Sequence, residues 1–186
     1  MRPTTLGVIG LGAIGGSVAR QAKQAGIGAV LGWSPDAAER AAALRLGALD
    51  DAPAQPADVA RRAQLLVLAA PPAANLQLLD TLHSHLSSRS LVTDVGSVKR
   101  AIVARAEALG CAAQFAGSHP LAGTHANGFD ASRPGLFAGA VVYVTPTRNG
   151  AARTWNGSNG STASDGRPAA APSTGVVAAK LLICGN

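Results

Sequence analysis

Aromatic side chains are nearly absent: three Phe, two Trp and one Tyr make up 3% of 186 residues. An interior built without rings must be filled by Ala, Val, Leu and Ile, which suits small-residue helices packed closely on a sheet. The same scarcity leaves almost no surface on which nucleic-acid bases could stack. Cysteine is equally sparse. Cys111 and Cys184 have no metal-ligand spacing around them, so neither disulfide staples nor a zinc site is expected, in keeping with a reducing compartment. Acidic residues number 10 against 16 basic ones, a formal charge of +6 and a pI near 10.4, which raises the question of nucleic acid. No run of five like charges occurs, however, and Arg20, Lys23, Arg40, Arg45, Arg61, Arg62, Lys99, Arg100 and Arg105 are scattered over several predicted helices. The charge therefore reads as solvated helix faces with a modest pull on anionic ligands, and no nucleic-acid partner is expected. Long apolar runs are missing too, since Pro71-Pro72 and Lys180 interrupt the longest candidates and no membrane span results. The start, Met1-Arg-Pro-Thr-Thr5, lacks a signal-peptide layout. A soluble, cytoplasmic chain is the expectation.

The length allows one domain of ordinary size with a small appendage. Up to residue 148, short β-like runs alternate with Ala-rich amphipathic helices, the pattern of an α/β, doubly wound, mainly parallel, Rossmann-like sheet. Strands are expected at Leu6–Gly10, Ala29–Trp33, Leu65–Leu68, Leu91–Asp94, Gln114–Ala116 and Val141–Val144. Helices are expected at Ala13–Ala25, Pro35–Leu46, Asn75–Leu86 and Val98–Leu109, with a Gly-rich loop over Gly117–Gly139. From 149 to 186 the character changes to Gly, Ser, Asn and Ala without either periodicity, and only Val176–Ile183 resembles an element. This irregular C-terminal tail is expected to be disordered, or the product of a shifted reading frame or truncation.

The first strand-to-helix turn reads Gly10-Leu-Gly-Ala-Ile-Gly15. A G-x-G-x-x-G motif alone is weak, but here it follows a predicted strand, opens a predicted helix and starts a βαβ unit. Gly10 permits the tight turn, Gly12 leaves room for a pyrophosphate, and Gly15 lets helix and strand approach. The free amides and dipole at the helix start, around Ala13 and Ile14, favour anionic phosphates. A dinucleotide is the ligand this arrangement suits. Pro71, at the end of the third predicted strand, joins the candidate cofactor-binding set.

An acid about 20 residues past the fingerprint, at the end of the second strand, commonly reads the ribose 2′-hydroxyl of NAD. That position holds Ser34, in Gly32-Trp-Ser34-Pro-Asp36. Serine does not repel a 2′-phosphate, and Arg40 is a nearby cation able to pair with one. The plainer reading is that Asp36, or nothing, contacts the ribose and Ser34 caps the next helix. The cofactor is therefore NAD or NADP, with a slight lean to NADP.

Two later segments carry possible chemistry: Thr93-Asp-Val-Gly-Ser97-Val-Lys99, and Phe115-Ala-Gly-Ser-His119-Pro-Leu-Ala-Gly-Thr-His125. Together with the glycine turn they closely resemble the prephenate/arogenate dehydrogenase family, over about residues 5 to 147. The most specific part is Gly-Ser-His-Pro-Leu-Ala-Gly-Thr. The resemblance implies oxidation of a cyclohexadienol on the route to tyrosine, with hydride passing to the nicotinamide while the carboxylate leaves as CO₂. It implies that His119 draws off the ring hydroxyl proton, a role suited to an imidazole with its near-neutral pKa. By the same resemblance Ser97 holds that hydroxyl or the nicotinamide; the commoner reason for such a serine is an N-cap, here for a helix starting at Val98. Lys99 reads as a solvated first-turn lysine, and His83 and His85 receive no role.

The sequence also departs from the family. Many prephenate-specific members carry an acid where His125 stands, and with Ser34 this leans toward arogenate or NADP. Members continue into a helical domain that forms the dimer and supplies an arginine for the substrate carboxylate; nothing after Asn149 resembles it. Competing readings are another dehydrogenase of the β-hydroxyacid type, against which the Ser-His-Pro-Leu-Ala-Gly segment argues, and a catalytically inactive dinucleotide-binding remnant.

Overall fold

Residues 6, 8, 65 and 67 are apolar, and so are their neighbours 9, 66 and 68, so these strands must be buried on both faces. The computed structural model, which describes residues 3–123 and 125–148, bears this out. Strands β1 (Thr5–Ile9), β2 (Ala29–Trp33), β3 (Leu65–Leu68), β4 (Leu91–Asp94), β5 (Phe115–Pro120) and β6 (Val142–Pro146) form one sheet in the order β2-β1-β3-β4-β5-β6. The first five run parallel, and β6 is antiparallel to β5. The readings made for 149–186, Val176–Ile183 included, lie outside the described residues.

Side-chain alternation sorts the core onto the two faces. Leu6, Val8, Leu65 and Val67 pack with Val18, Ala19 and Ala22 of α1 (Ala13–Gln24), with Ala43 of α2 (Ala37–Arg45), and with Phe129 and Phe137. Ile9, Leu66 and Leu68 pack on the other face with Val59 of α3 (Pro56–Arg62), Leu79 and Leu82 of α4 (Pro72–Leu82), and Ile102 of α5 (Arg100–Ala108). The few aromatics are spent economically, since Phe115, Phe129 and Phe137 are all buried.

Several expectations need correction. Helix α3 was not foreseen; its seven residues are too few to show a period, though Pro56 at its first turn marks a start. Helix α2 begins at Ala37 rather than Pro35, because the Asp36 carboxylate caps it by accepting from Ala38 N at 2.7 Å. Helix α5 begins at Arg100, so Ser97 is no N-cap. Strand β5 runs on through Ser118, His119 and Pro120, which had been read as loop. Its antiparallel pairing with β6 supplies the backbone partners that no local pattern reveals. The basic residues are less free than solvated faces imply: Lys23 pairs with Asp50, Arg62 with Asp51 and Arg105 with Asp80, while Arg20 donates to the Ser132 carbonyl at 2.7 Å.

Candidate functional site

The carboxyl ends of β1, β2 and β3 converge on one cavity of about 480 Å³. It lies between the neighbouring strands β1 and β3, whose following helices α1 and α4 lie on opposite sides of the sheet, the crevice at which such sheets bind ligands. Its wall includes Gly10, Gly12, Trp33, Ser34, Glu39, Ala70 and Pro71. Four of the sequence-derived positions, Gly10, Gly12, Ser34 and Pro71, thus meet around one space. Ala13, Ile14 and Gly15 form the first turn of α1 beside it.

The three glycines of the turn answer to three different constraints. Gly10 has φ +93°, and a Cβ there would lie 2.7 Å from the backbone nitrogen of Ala70. A Cβ on Gly15 would overlap the Gly10 carbonyl oxygen. A Cβ on Gly12 would meet nothing within 4 Å, so no protein atom requires glycine there. Room is left at Gly12 beside the N-terminus of α1, whose first amides have no partner within the helix. Asn75, buried on α4, accepts from Ala70 N at 3.1 Å and holds the Ala70–Pro71 wall in place.

At the end of β2, Ser34 is buried, and its hydroxyl donates to Glu39 Oε2 at 2.5 Å. Arg40 donates to the Ser34 carbonyl oxygen and is not part of the cavity wall. Glu39 was missed by sequence reasoning; the signal available was Asp36-x-x-Glu39, which reads first as a capping box. In the fold the Asp36 amide turns to Ser34 Oγ instead, at 3.3 Å.

The second constellation sits at the carboxyl edge of β4 and β5. Ser97 is exposed three residues beyond β4, and its hydroxyl has no hydrogen-bond partner among the described residues. His119 lies on β5 opposite Tyr143, half-buried, with its Nδ1 buried and unpartnered among the described residues. Neither lines the β1–β3 cavity. The neighbouring strand ends bring them to one edge, and a polar network stiffens it. Ser118 Oγ donates to the Asp94 carbonyl at 2.6 Å, and Thr93 Oγ1 donates to the Ala116 carbonyl at 2.7 Å.

Lys99 corrects the sequence reading most plainly. Its side chain is 14% exposed and donates to the Asp94 carboxylate, itself 2% exposed, which also accepts from Gly96 N at 3.0 Å. Burial pushes the Asp94 carboxyl above its ordinary pKa and the Lys99 ammonium below its own, while the pairing pulls each back.

The family model for the nucleotide-binding domain of prephenate dehydrogenase matches residues 18–156. Prephenate dehydrogenase of Bacillus subtilis (strain 168) is 36% identical over 149 residues, covering 78% of this chain and 40% of that protein. Among solved structures, Synechocystis arogenate dehydrogenase superposes with a TM-score of 0.73 at 35% identity, covering 78% of this chain and 51% of that one. Prephenate dehydrogenase from A. aeolicus, in complex with hydroxyphenyl propionate and NAD+, gives 0.72 at 29% identity, covering 80% and 51%. The chain therefore spans about half of these structures and less of the Bacillus protein. With a Rossmann-like sheet, a crevice at the carboxyl ends of its strands and these relatives, the chain belongs to the prephenate dehydrogenase family and carries its nucleotide-binding domain.

Proposed function

We propose that this chain holds NAD(P) for the oxidative decarboxylation of prephenate or arogenate, in the cytoplasmic synthesis of tyrosine. The observation that carries the reading is His119, whose Nδ1 is buried and unpartnered among the described residues, on β5 at the same sheet edge as Ser97 and the crevice. Gly10, Gly12, Ala13, Ile14 and Gly15 bind the pyrophosphate, and Pro71 and Ser34 flank the nucleotide. When bound, the nicotinamide supplies the hydride acceptor. His119 accepts the hydrogen bond of the ring hydroxyl and holds its proton as the carbinol carbon is oxidised. Ser97 orients that hydroxyl. The C–C bond to the ring carboxylate then breaks, CO₂ leaves, its electron pair completes the aromatic ring, and the phenolate oxygen takes the proton back from His119.

The test combines dinucleotide titration with single-turnover reduction on both substrates. Gly12→Val is expected to weaken dinucleotide binding, since its side chain fills the space left at the turn. His119→Asn is expected to slow hydride transfer by about 10²- to 10⁴-fold with dinucleotide affinity unchanged. Unchanged affinity in Gly12→Val, or undiminished transfer in His119→Asn, contradicts the reading.

A further inference from the structure

The end of β2 lacks the acid that would read a ribose, yet the cavity wall does not lack a carboxylate. Glu39 comes from the first turn of α2, five residues beyond Ser34, and is the one charged side chain among the described residues lining the cavity. It is half-buried there, and one oxygen is held by the Ser34 hydroxyl at 2.5 Å. That bond fixes the side chain toward the end of β2 and occupies only part of its capacity, because a carboxylate has about four acceptor sites. Arg40 donates through Nη1 to the Ser34 carbonyl oxygen and is not among the residues lining the cavity.

We infer that Glu39, held by Ser34, replaces the missing strand-end acid and selects a dinucleotide whose adenosine ribose has a free 2′-hydroxyl, NAD over NADP. The inference rests on the cofactor reading above and reverses the lean drawn from Ser34 and Arg40. The physical reason is charge. A ribose diol can donate to the free carboxylate oxygen, whereas a 2′-phosphate would place a dianion against it in a half-desolvated pocket.

Calorimetric titration of the full chain with NAD and with NADP tests this, using wild type, Glu39→Gln and Arg40→Ala. Glu39→Gln keeps an acceptor for Ser34 and removes the charge. Wild type is expected to bind NAD at least about tenfold more tightly than NADP, and Glu39→Gln to bring the ratio near unity, chiefly by strengthening NADP. Arg40→Ala is expected to leave the ratio unchanged. NADP binding as tightly as NAD in wild type, an unaltered ratio in Glu39→Gln, or a selective loss of NADP in Arg40→Ala overturns the inference while the dinucleotide site stands. Failure of both nucleotides to bind overturns the cofactor reading and this inference with it.

Discussion

Lys99 reaches back over the β4–α5 turn to the carboxylate of Asp94, so the last residue of β4 and the residue before α5 are joined by a nearly buried ion pair. Ser97 lies inside this loop, and Ser118 next to His119 is bonded to the carbonyl of the same Asp94. The pair thereby supports both candidate catalytic positions.

Removing one partner strands a buried charge. Lys99→Met is expected to cost about 3–5 kcal/mol in urea unfolding, and Asp94→Asn combined with Lys99→Met to cost much less than the sum of the single changes. Additive losses in that double-mutant cycle would show that the pair contributes no coupling.

Gly15 and Gly12 are expected to respond in opposite ways. Gly15→Ala forces a Cβ onto the Gly10 carbonyl oxygen, and thermal unfolding should register a loss of more than about 2 kcal/mol. Gly12→Ala meets open space, so its melting curve should stay close to wild type while the dinucleotide titration weakens.

Acid stability should depend on Asp50. Its carboxylate accepts from Lys23 Nζ at 2.6 Å and from Val30 N at 2.7 Å, tying the end of α1 to β2. The Lys23 hydrogen bond, opposed by partial burial and helped by the Val30 amide, holds its pKa below the ordinary 3.8. A depressed folded-state pKa gives stability that is full above that value and is lost as pH falls through the folded one. Being well exposed, the pair is worth at most about 1 kcal/mol. Asp50→Asn should therefore be less stable at neutral pH and converge with wild type in strong acid, as chemical denaturation across pH will show.

Cys111 is 6% exposed, donates weakly to the Ala106 carbonyl, and has its thiol pKa raised by burial. In a Cys184→Ser background its alkylation should proceed only as fast as the chain opens. Rapid labelling of the native chain would place the thiol outside the core described for it.

Much of this molecule is written locally. The glycine spacing after an apolar strand identifies the turn at Gly10–Gly15, because tight turn, close packing and anion approach each need a missing side chain within six residues. Two-sided burial of β1 and β3 is legible because parallel strands covered by helices need continuous apolar runs. The helix boundaries were less legible, since Asp36 rather than Pro35 sets the start of α2 and nothing local stops a helix from beginning at Val98.

The sequence by itself determined the α/β class, the glycine turn after β1 and, through Gly-Ser-His-Pro-Leu-Ala-Gly-Thr, the family. Tertiary structure alone decided that Glu39 faces the cavity while Arg40 does not, that Lys99 is paired rather than solvated, and that His119 belongs to a strand. The reason is common to all three. Each outcome depends on which partner the fold brings within hydrogen-bonding reach: Ser34 for Glu39, Asp94 for Lys99, and the β6 backbone for β5. A one-dimensional pattern records which residues can bond, and only packing determines which of them meet.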